Sequence, residues 1–105
     1  MKIAITSTGN TLDSNIDQRF GRCEYFVLFD KETNAVEFLP NPYKNAEDGA
    51  GPASVELIAS RNVNKIISGE FGIKIKSLID SLKIQMIVIK NPEKKISELI
   101  ELLSH

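Results

Sequence analysis

The chain has 105 residues, which fits one domain, and we expect a single domain over residues 1–105. Its 13 Lys and Arg residues nearly balance 14 Asp and Glu residues, which argues against a general nucleic-acid binder. The only cysteine, Cys23, excludes an intramolecular disulfide, and the only histidine is His105, so a histidine-based triad or zinc site is not expected. Because no apolar run could span a bilayer and no signal-peptide pattern is present, we expect a cytoplasmic protein without a membrane partner.

The first part of the chain predicts a strand, a long polar loop and a hairpin. Residues 2–7 are apolar and β-branched, which is typical of a buried strand. Residues 8–22 are rich in turn-forming residues, and ordered loops of this length are often functional. Residues 24–30 and 34–39 predict two strands joined by a short turn, and therefore a β-hairpin.

The second part predicts alternating helices and strands. In chain order these are a helix near 52–61, a strand at 64–68, a helix near 72–82 and a strand at 84–89. A terminal helix is predicted to follow, with Asn91 as its N-cap and Pro92 at its first position. A hairpin followed by right-handed crossovers predicts a mixed sheet covered by helices, that is, one three-layer α/β/α domain.

Three segments are predicted to meet at the carboxyl ends of the parallel strands, where open α/β sheets bind their ligands. They are the loop after the first strand, the turn at residues 49–51 (Gly-Ala-Gly) and the turn at residues 69–72 (Gly-Glu-Phe-Gly). Glycine allows the backbone to approach a ligand, and a helix N-terminus offers free N–H groups to an anion. Neither turn has the full dinucleotide-binding or P-loop pattern, so tight turns alone are the alternative interpretation.

Residues 19–23, Arg-Phe-Gly-Arg-Cys, carry the most distinctive side chains of the loop. The planar forks of Arg19 and Arg22 suit anionic ligands, and Asp17 is expected to orient an arginine rather than to bind metal. A Cys23 thiolate would suit a soft metal or an iron–sulfur cluster. The structural alternative is that the arginines pair with nearby aspartates and that Cys23 is a small buried apolar residue.

The sequence offers little for catalysis. The first strand carries no carboxylate, and the acidic residues of the loop and hairpin form no clear metal-carboxylate pattern. Cys23 has no neighbouring histidine that could act as its base. We therefore expect a protein that is not an enzyme.

These motifs resemble the dinitrogenase iron–molybdenum cofactor biosynthesis family, of the NifX/NafY type, whose domain also occurs at the C-terminus of NifB proteins. The resemblance covers essentially the whole chain. It is most specific over residues 16–22, Ile-Asp-x-x-Phe-Gly-Arg, taken together with the two glycine turns. It implies a ribonuclease H-like α/β/α fold, with a five-stranded mixed sheet in the order 3-2-1-4-5 and an antiparallel strand 2.

The resemblance also implies a function, namely a carrier that transiently binds an iron–sulfur or iron–molybdenum cofactor type cluster. Cofactor-assembly proteins would be its donor and acceptor, and the protein would be a monomer or a homodimer. Several members carry His at the position of Arg19, and Arg cannot ligate metal because it remains protonated. Cys23 is therefore the candidate metal ligand. The candidate cofactor-binding residues are Arg19, Arg22, Cys23, Gly49, Gly51, Gly69 and Gly72.

Two other functions are compatible with the same residues. The arginines and glycine turns would also suit a module that binds a small anion, a nucleotide-like ligand or a protein partner, with no metal role. A nuclease of the ribonuclease H type follows only from analogy between folds.

Overall fold

The fold is described by a computed structural model that covers residues 1–105. Five strands and three helices follow in the predicted order. The strands are β1 (Lys2–Ser7), β2 (Tyr25–Asp30), β3 (Val36–Pro40), β4 (Lys65–Ser68) and β5 (Gln85–Val88). The helices are α1 (Ala50–Ser60), α2 (Ile73–Ser81) and α3 (Ile96–Leu103). None of these helices combines the length and the apolar character needed to cross a membrane.

The strands form one mixed sheet in the order β3-β2-β1-β4-β5, which confirms the predicted order. β2 runs antiparallel to both neighbours, with Val27 opposite Ile5 of β1 and Phe38 of β3. β4 runs parallel to β1 and β5, with Ile67 beside Ile5 and Ile87. The β4–β5 connection passes through α2, because parallel strands require a crossover. The carboxyl ends of β1 and β4 therefore lie at the same edge of the sheet.

Alternating side chains of the sheet fill two apolar cores, one on each face. Ala4 of β1 lies in the first core, whereas its neighbours Ile3 and Ile5 lie in the second. The helices complete the first core with Val55, Ile58, Ile75 and Ile79 and the second with Ile96 and Leu99. Burial of each large apolar side chain stabilises the fold by about 1.5–3 kcal/mol. Helices α1 and α2 thus cover one face and α3 the other, which confirms the three-layer architecture.

The predicted start of the last helix is wrong. Helix α3 begins at Ile96, with Lys95 as its N-cap, and not at Pro92 with Asn91 as the cap. Asn91 stabilises a turn instead, because its side-chain oxygen accepts the Glu93 N–H at 3.0 Å. The local pattern is the same one that starts a helix, an Asn whose side chain accepts an N–H two residues on.

Pairing with a distant segment explains the late start of α3. The Lys94 carbonyl accepts the Ile16 N–H at 2.8 Å, and the Ile96 N–H donates to the Ser14 carbonyl at 2.9 Å. The bridge between Asn15 and Lys95 keeps Lys95 extended, with a ψ of 149°. The helix begins at the next residue, and the N–H groups of Ile96 and Ser97 still donate to the loop because the first helical turn leaves its N–H groups free. The Glu98 side chain accepts the N–H of the N-cap residue at 3.0 Å.

The loop between β1 and β2, residues 8–24, folds back onto the carboxyl edge of the sheet. Ile16 pairs with the last residue of β1 and is buried. The Asp17 N–H donates to the Thr6 carbonyl at 2.9 Å, and the Thr6 hydroxyl donates to the Asp17 carbonyl at 2.7 Å. The Gly69 N–H donates to the same Asp17 carbonyl at 3.2 Å. The β1–β2 loop is therefore attached to both central parallel strands.

We expect the substitution Gly69→Ala to lower the free energy of unfolding by about 2–3 kcal/mol. A Cβ at this position would lie 2.4 Å from the Gln18 Cα, so two backbone segments would have to separate. Urea denaturation followed by circular dichroism measures the loss. Gly72→Ala is the matched control, because no atom lies within 4 Å of its added Cβ, and we expect a change within about 0.5 kcal/mol. Equal losses in the two variants would contradict the close packing at Gly69.

Candidate functional site

An open cleft of about 330 Å³ lies at the carboxyl edge of the parallel strands. The β1–β2 loop contributes residues 19–22, and the start of α1 contributes residues 49–51. The third wall, around the start of α2, consists of Glu70, Gly72 and Ile75. The three segments that the sequence predicted to meet here do meet.

Two helices begin at this cleft without a side-chain cap. Gly49, the N-cap of α1, has a φ of 75°, in the left-handed region that favours glycine. The N–H groups of Ala50 and Gly51 donate to no group of the chain. Gly72 is the N-cap of α2, and it too makes no side-chain capping bond. Free N–H groups and the positive ends of two helix dipoles together favour an anion in the cleft.

Close backbone contacts bring the walls of the cleft together. A Cβ on Gly21 would lie 2.9 Å from the Gly51 nitrogen, so the β1–β2 loop touches the first turn of α1 directly. A Cβ on Gly51 would lie 2.8 Å from the Ile75 Cγ2, so α1 and α2 are also in close contact here. A side chain at position 21 would therefore force two backbone segments apart, and one at position 51 would displace the Ile75 side chain.

Arg19 is held by Asp17, which agrees both with the predicted orienting role of this aspartate and with the structural alternative of a pair between an arginine and a nearby aspartate. The Asp17 Oδ1 accepts the Arg19 backbone N–H at 2.9 Å and its Nε at 3.2 Å, and Oδ2 accepts Nη2 at 3.3 Å. Asp17 is 4% exposed, whereas the Arg19 side chain is 59% exposed. The hydrogen bond to Asp17 raises the pKa of the Arg19 guanidinium, which stays charged. Asp17 thus fixes one edge of the guanidinium and leaves the other edge accessible from the cleft.

Arg22 connects the β1–β2 loop to the segment that leads into α1. Its Nη1 donates to the Ala46 carbonyl at 2.6 Å and to the Lys44 carbonyl at 3.2 Å. Both acceptors are neutral, so the guanidinium keeps its charge uncompensated. Nε and Nη2 of Arg22 make no hydrogen bond within the chain, and they are available to a ligand.

Asn41 is a supporting residue that the sequence analysis missed. It is buried, and its Nδ2 donates to the carbonyls of Gly21 and Cys23, both at 3.0 Å. These two carbonyls flank Arg22, so Asn41 fixes the backbone on both sides of it. An asparagine between two prolines is typical of a loop, and its sequence surroundings contain no signal of these long-range contacts.

Two predicted site residues, Cys23 and Gly69, do not line the cleft. The Cys23 side chain is fully buried in the first core, where its thiol donates to the Phe20 carbonyl at 3.4 Å. Burial raises the pKa of the thiol well above its ordinary value, so it is protonated at neutral pH. This placement differs from the accessible thiolate expected at Cys23 and agrees with the alternative of a small buried apolar residue. Gly69 is covered by Gln18.

Glu70 is the charged cleft residue that was not selected from the sequence. It lies directly after β4, in the second glycine turn, and its side chain is exposed. The sequence does contain a feature that could have identified Glu70, namely a charged residue between two glycines at the carboxyl end of a parallel strand. Phe20 and Ile75 add apolar lining.

Nowhere in the structure do three or more His, Cys, Asp or Glu side chains lie close enough together to hold a metal ion. The cleft instead combines guanidinium groups with unbonded N–H groups. Its chemistry is therefore that of anion binding, with Glu70 as the one carboxylate on its walls.

Solved structures of other proteins share this fold. The apo form of the orange protein from Desulfovibrio gigas superposes with a TM-score of 0.87 at 26% identity, covering 95% of this chain and 83% of that chain. The NMR structure of TM1290 from Thermotoga, provisionally assigned as a NifB protein of the DUF35 family, gives 0.82 at 28% identity and covers 98% and 86%. PH0822, at 23% identity, gives 0.76 and covers 96% and 87%.

The sequence comparisons agree with these structures. The protein MJ0580 of Methanocaldococcus jannaschii is 35% identical over an alignment of 105 residues, which covers 97% of this chain and 84% of that protein. A family model described as dinitrogenase iron-molybdenum cofactor matches residues 1–105. This match confirms the resemblance seen in the sequence, and the chain belongs to the dinitrogenase iron-molybdenum cofactor family.

Proposed function

We propose that the protein is a non-enzymatic carrier of an iron–sulfur or iron–molybdenum cofactor type cluster, which it binds in the cleft. The observation that carries this proposal is the meeting of Arg19 and Arg22 with two uncapped helix N-termini at one edge of the sheet. Membership of the family supports a role related to this cofactor.

The donors of the cleft match the surface of such a cluster. Inorganic sulfides carry negative charge and accept hydrogen bonds from a protein. Arg19 and Arg22 offer guanidinium N–H groups, and Ala50 and Gly51 offer backbone N–H groups. The added Cβ of an alanine would meet no atom at Gly49 or Gly72, so a bulky ligand can approach the backbone closely at these two glycines. The volume of the cleft lies within the usual range for ligand pockets.

The hydrogen-bond donors of the cleft also favour a cluster that is bound transiently over one that is bound permanently. Clusters that reside in a protein are usually held by several thiolates, and the cleft presents none. Binding that depends mainly on charge and hydrogen bonds leaves most metal positions open to the ligands of an acceptor. The orange protein is described in an apo form, which supports a group that can be absent from a folded member of this fold.

The surroundings of the cleft support a role without catalysis. No histidine lies on its walls, and the Asp17 carboxylate is committed to Arg19. No nucleophile is therefore paired with a general base. We place the carrier in the cytoplasm as a monomer or homodimer, with cofactor-assembly proteins as donor and acceptor.

We expect Arg19→Ala and Arg22→Ala each to weaken cluster binding by about tenfold or more, because each removes charge-assisted hydrogen bonds to sulfide. The purified protein is mixed anaerobically with a synthetic [4Fe–4S] cluster that carries water-soluble thiolate ligands, and the iron that co-elutes on gel filtration is measured. Arg61→Ala is the matched control. Arg61 pairs with Glu37 away from the cleft, so it changes the net charge equally, and we expect it to bind like the wild type.

Two results would contradict the carrier proposal. If the folded wild type retains no iron, the cleft does not bind this class of cluster. If the wild type instead binds inorganic phosphate or a nucleotide tightly and the arginine variants lose that binding, the cleft is a site for small anions without a metal role.

We expect Cys23→Ala to retain iron like the wild type and to change the pH dependence of stability. The folded-state pKa of this thiol is raised by burial, whereas the unfolded thiol ionises near its ordinary value of about 8.5. Below that pH both states hold the proton. Above it the folded state binds more protons, so the wild type loses stability by up to about 1.4 kcal/mol per pH unit more steeply than Cys23→Ala. Urea denaturation between pH 7 and pH 10, at about half-unit steps, measures the two slopes.

Parallel pH profiles of the wild type and Cys23→Ala would show that the thiol ionises in the folded protein. Loss of iron in Cys23→Ala, with the fold intact, would restore the thiolate ligand that the sequence suggested.

A further inference from the structure

Glu70 is the one residue on the walls of the cleft whose side chain can ligate a metal ion. The other lining residues are arginines, glycines and apolar residues, none of which provides a metal ligand from its side chain. Asp17 lies in the β1–β2 loop just before the cleft residues, but both of its side-chain oxygens accept hydrogen bonds from Arg19. Cys23 is fully buried in the core.

The Glu70 carboxylate is free, whereas its backbone is held. None of the ion pairs of the chain includes this carboxylate. The Glu70 carbonyl accepts the Ser68 hydroxyl at 3.1 Å, which fixes the turn between β4 and α2. Glu70 lines the cleft on the side of α2, while Arg19 and Arg22 line it from the β1–β2 loop. The guanidinium groups and the carboxylate therefore come from different segments that line the cleft.

We propose that the Glu70 carboxylate binds a metal ion of the carried cluster, while Arg19 and Arg22 contact its sulfides; this inference rests on the proposed function. In the binding step an iron–thiolate bond of the incoming cluster breaks, and an iron–oxygen bond to Glu70 forms. The departing thiolate takes a proton from the solvent, which favours its release at neutral pH, and no metal changes its oxidation state. A deprotonated thiolate of an acceptor reverses the exchange, because soft sulfur is preferred over carboxylate oxygen in such clusters.

Removal of the Glu70 charge is expected to change the affinity for the cluster in opposite directions under the two possible roles of this residue. A carboxylate that only lies near a bound anion repels it, so removal of the charge strengthens binding. A carboxylate that ligates a metal contributes a bond, so removal weakens binding. Glu70→Gln keeps the size of the side chain while it removes the charge, and it therefore separates the two roles.

The experiment titrates the wild type and Glu70→Gln anaerobically with the same synthetic [4Fe–4S] thiolate cluster and, separately, with inorganic phosphate. We expect Glu70→Gln to bind the cluster about tenfold more weakly and phosphate as tightly as the wild type or up to about threefold more tightly. Replacement of one thiolate by carboxylate also changes the visible charge-transfer spectrum of the wild-type complex, and Glu70→Gln lacks this change. Glu101→Gln on α3, exposed on the opposite face, is the control for net charge.

Glu70→Asp tests the ligand separately, because it retains a carboxylate; we expect it to keep the spectral change. Glu70 is exposed, and circular dichroism verifies that each variant is folded. Cluster binding by Glu70→Gln that equals or exceeds that of the wild type would overturn the assignment of Glu70 and leave the carrier proposal intact. Failure of the wild type to bind the cluster would overturn both.

Discussion

The attachment of Asp17 to the edge of the sheet is the interaction on which the cleft depends. Its N–H and carbonyl both bond to Thr6 of β1, and the same carbonyl accepts the N–H of Gly69 at the end of β4. Each bond contributes about 1 kcal/mol, and the loss of one would leave a buried polar group without a partner. Arg19 and Arg22 follow within five residues of the chain, so the position of both guanidinium groups depends on this attachment.

The glycines around the cleft have two different roles. Gly69 lies under Gln18, and Gly21 lies against Gly51, at distances where a Cβ would force two backbones apart. These glycines serve packing. Gly49 and Gly72 have open space where a Cβ would be, and they stand at the N-termini of the two helices that face the cleft. They are the positions at which the absence of a side chain leaves room for a ligand.

Local sequence patterns predicted the parts of the fold that local forces determine. The β-branched runs predicted the strands, and the glycine turns at strand ends predicted the segments that form the walls of the cleft. The predicted start of α3 was wrong because residues 94–96 pair with the distant β1–β2 loop, and that pairing outweighs the capping pattern at Asn91. The direction of the Cys23 side chain and the contacts of Asn41 depend on packing between segments that are far apart in the chain. No local pattern encodes such contacts.

The balance of charge in the cleft is compatible with the proposed carrier role, in which the site releases what it binds. The charge of Arg19 is balanced by Asp17, Arg22 donates from Nη1 to two carbonyls, and Glu70 adds a negative charge on the α2 side of the cleft. The formal charges of these four side chains sum to zero, so the cleft has no large excess of positive charge that would hold an anion tightly. Binding then depends mainly on the placement of individual groups, which recognises the shape and the acceptor pattern of a ligand. A donor pattern of this kind retains selectivity while affinity stays moderate, and a carrier requires both of these properties.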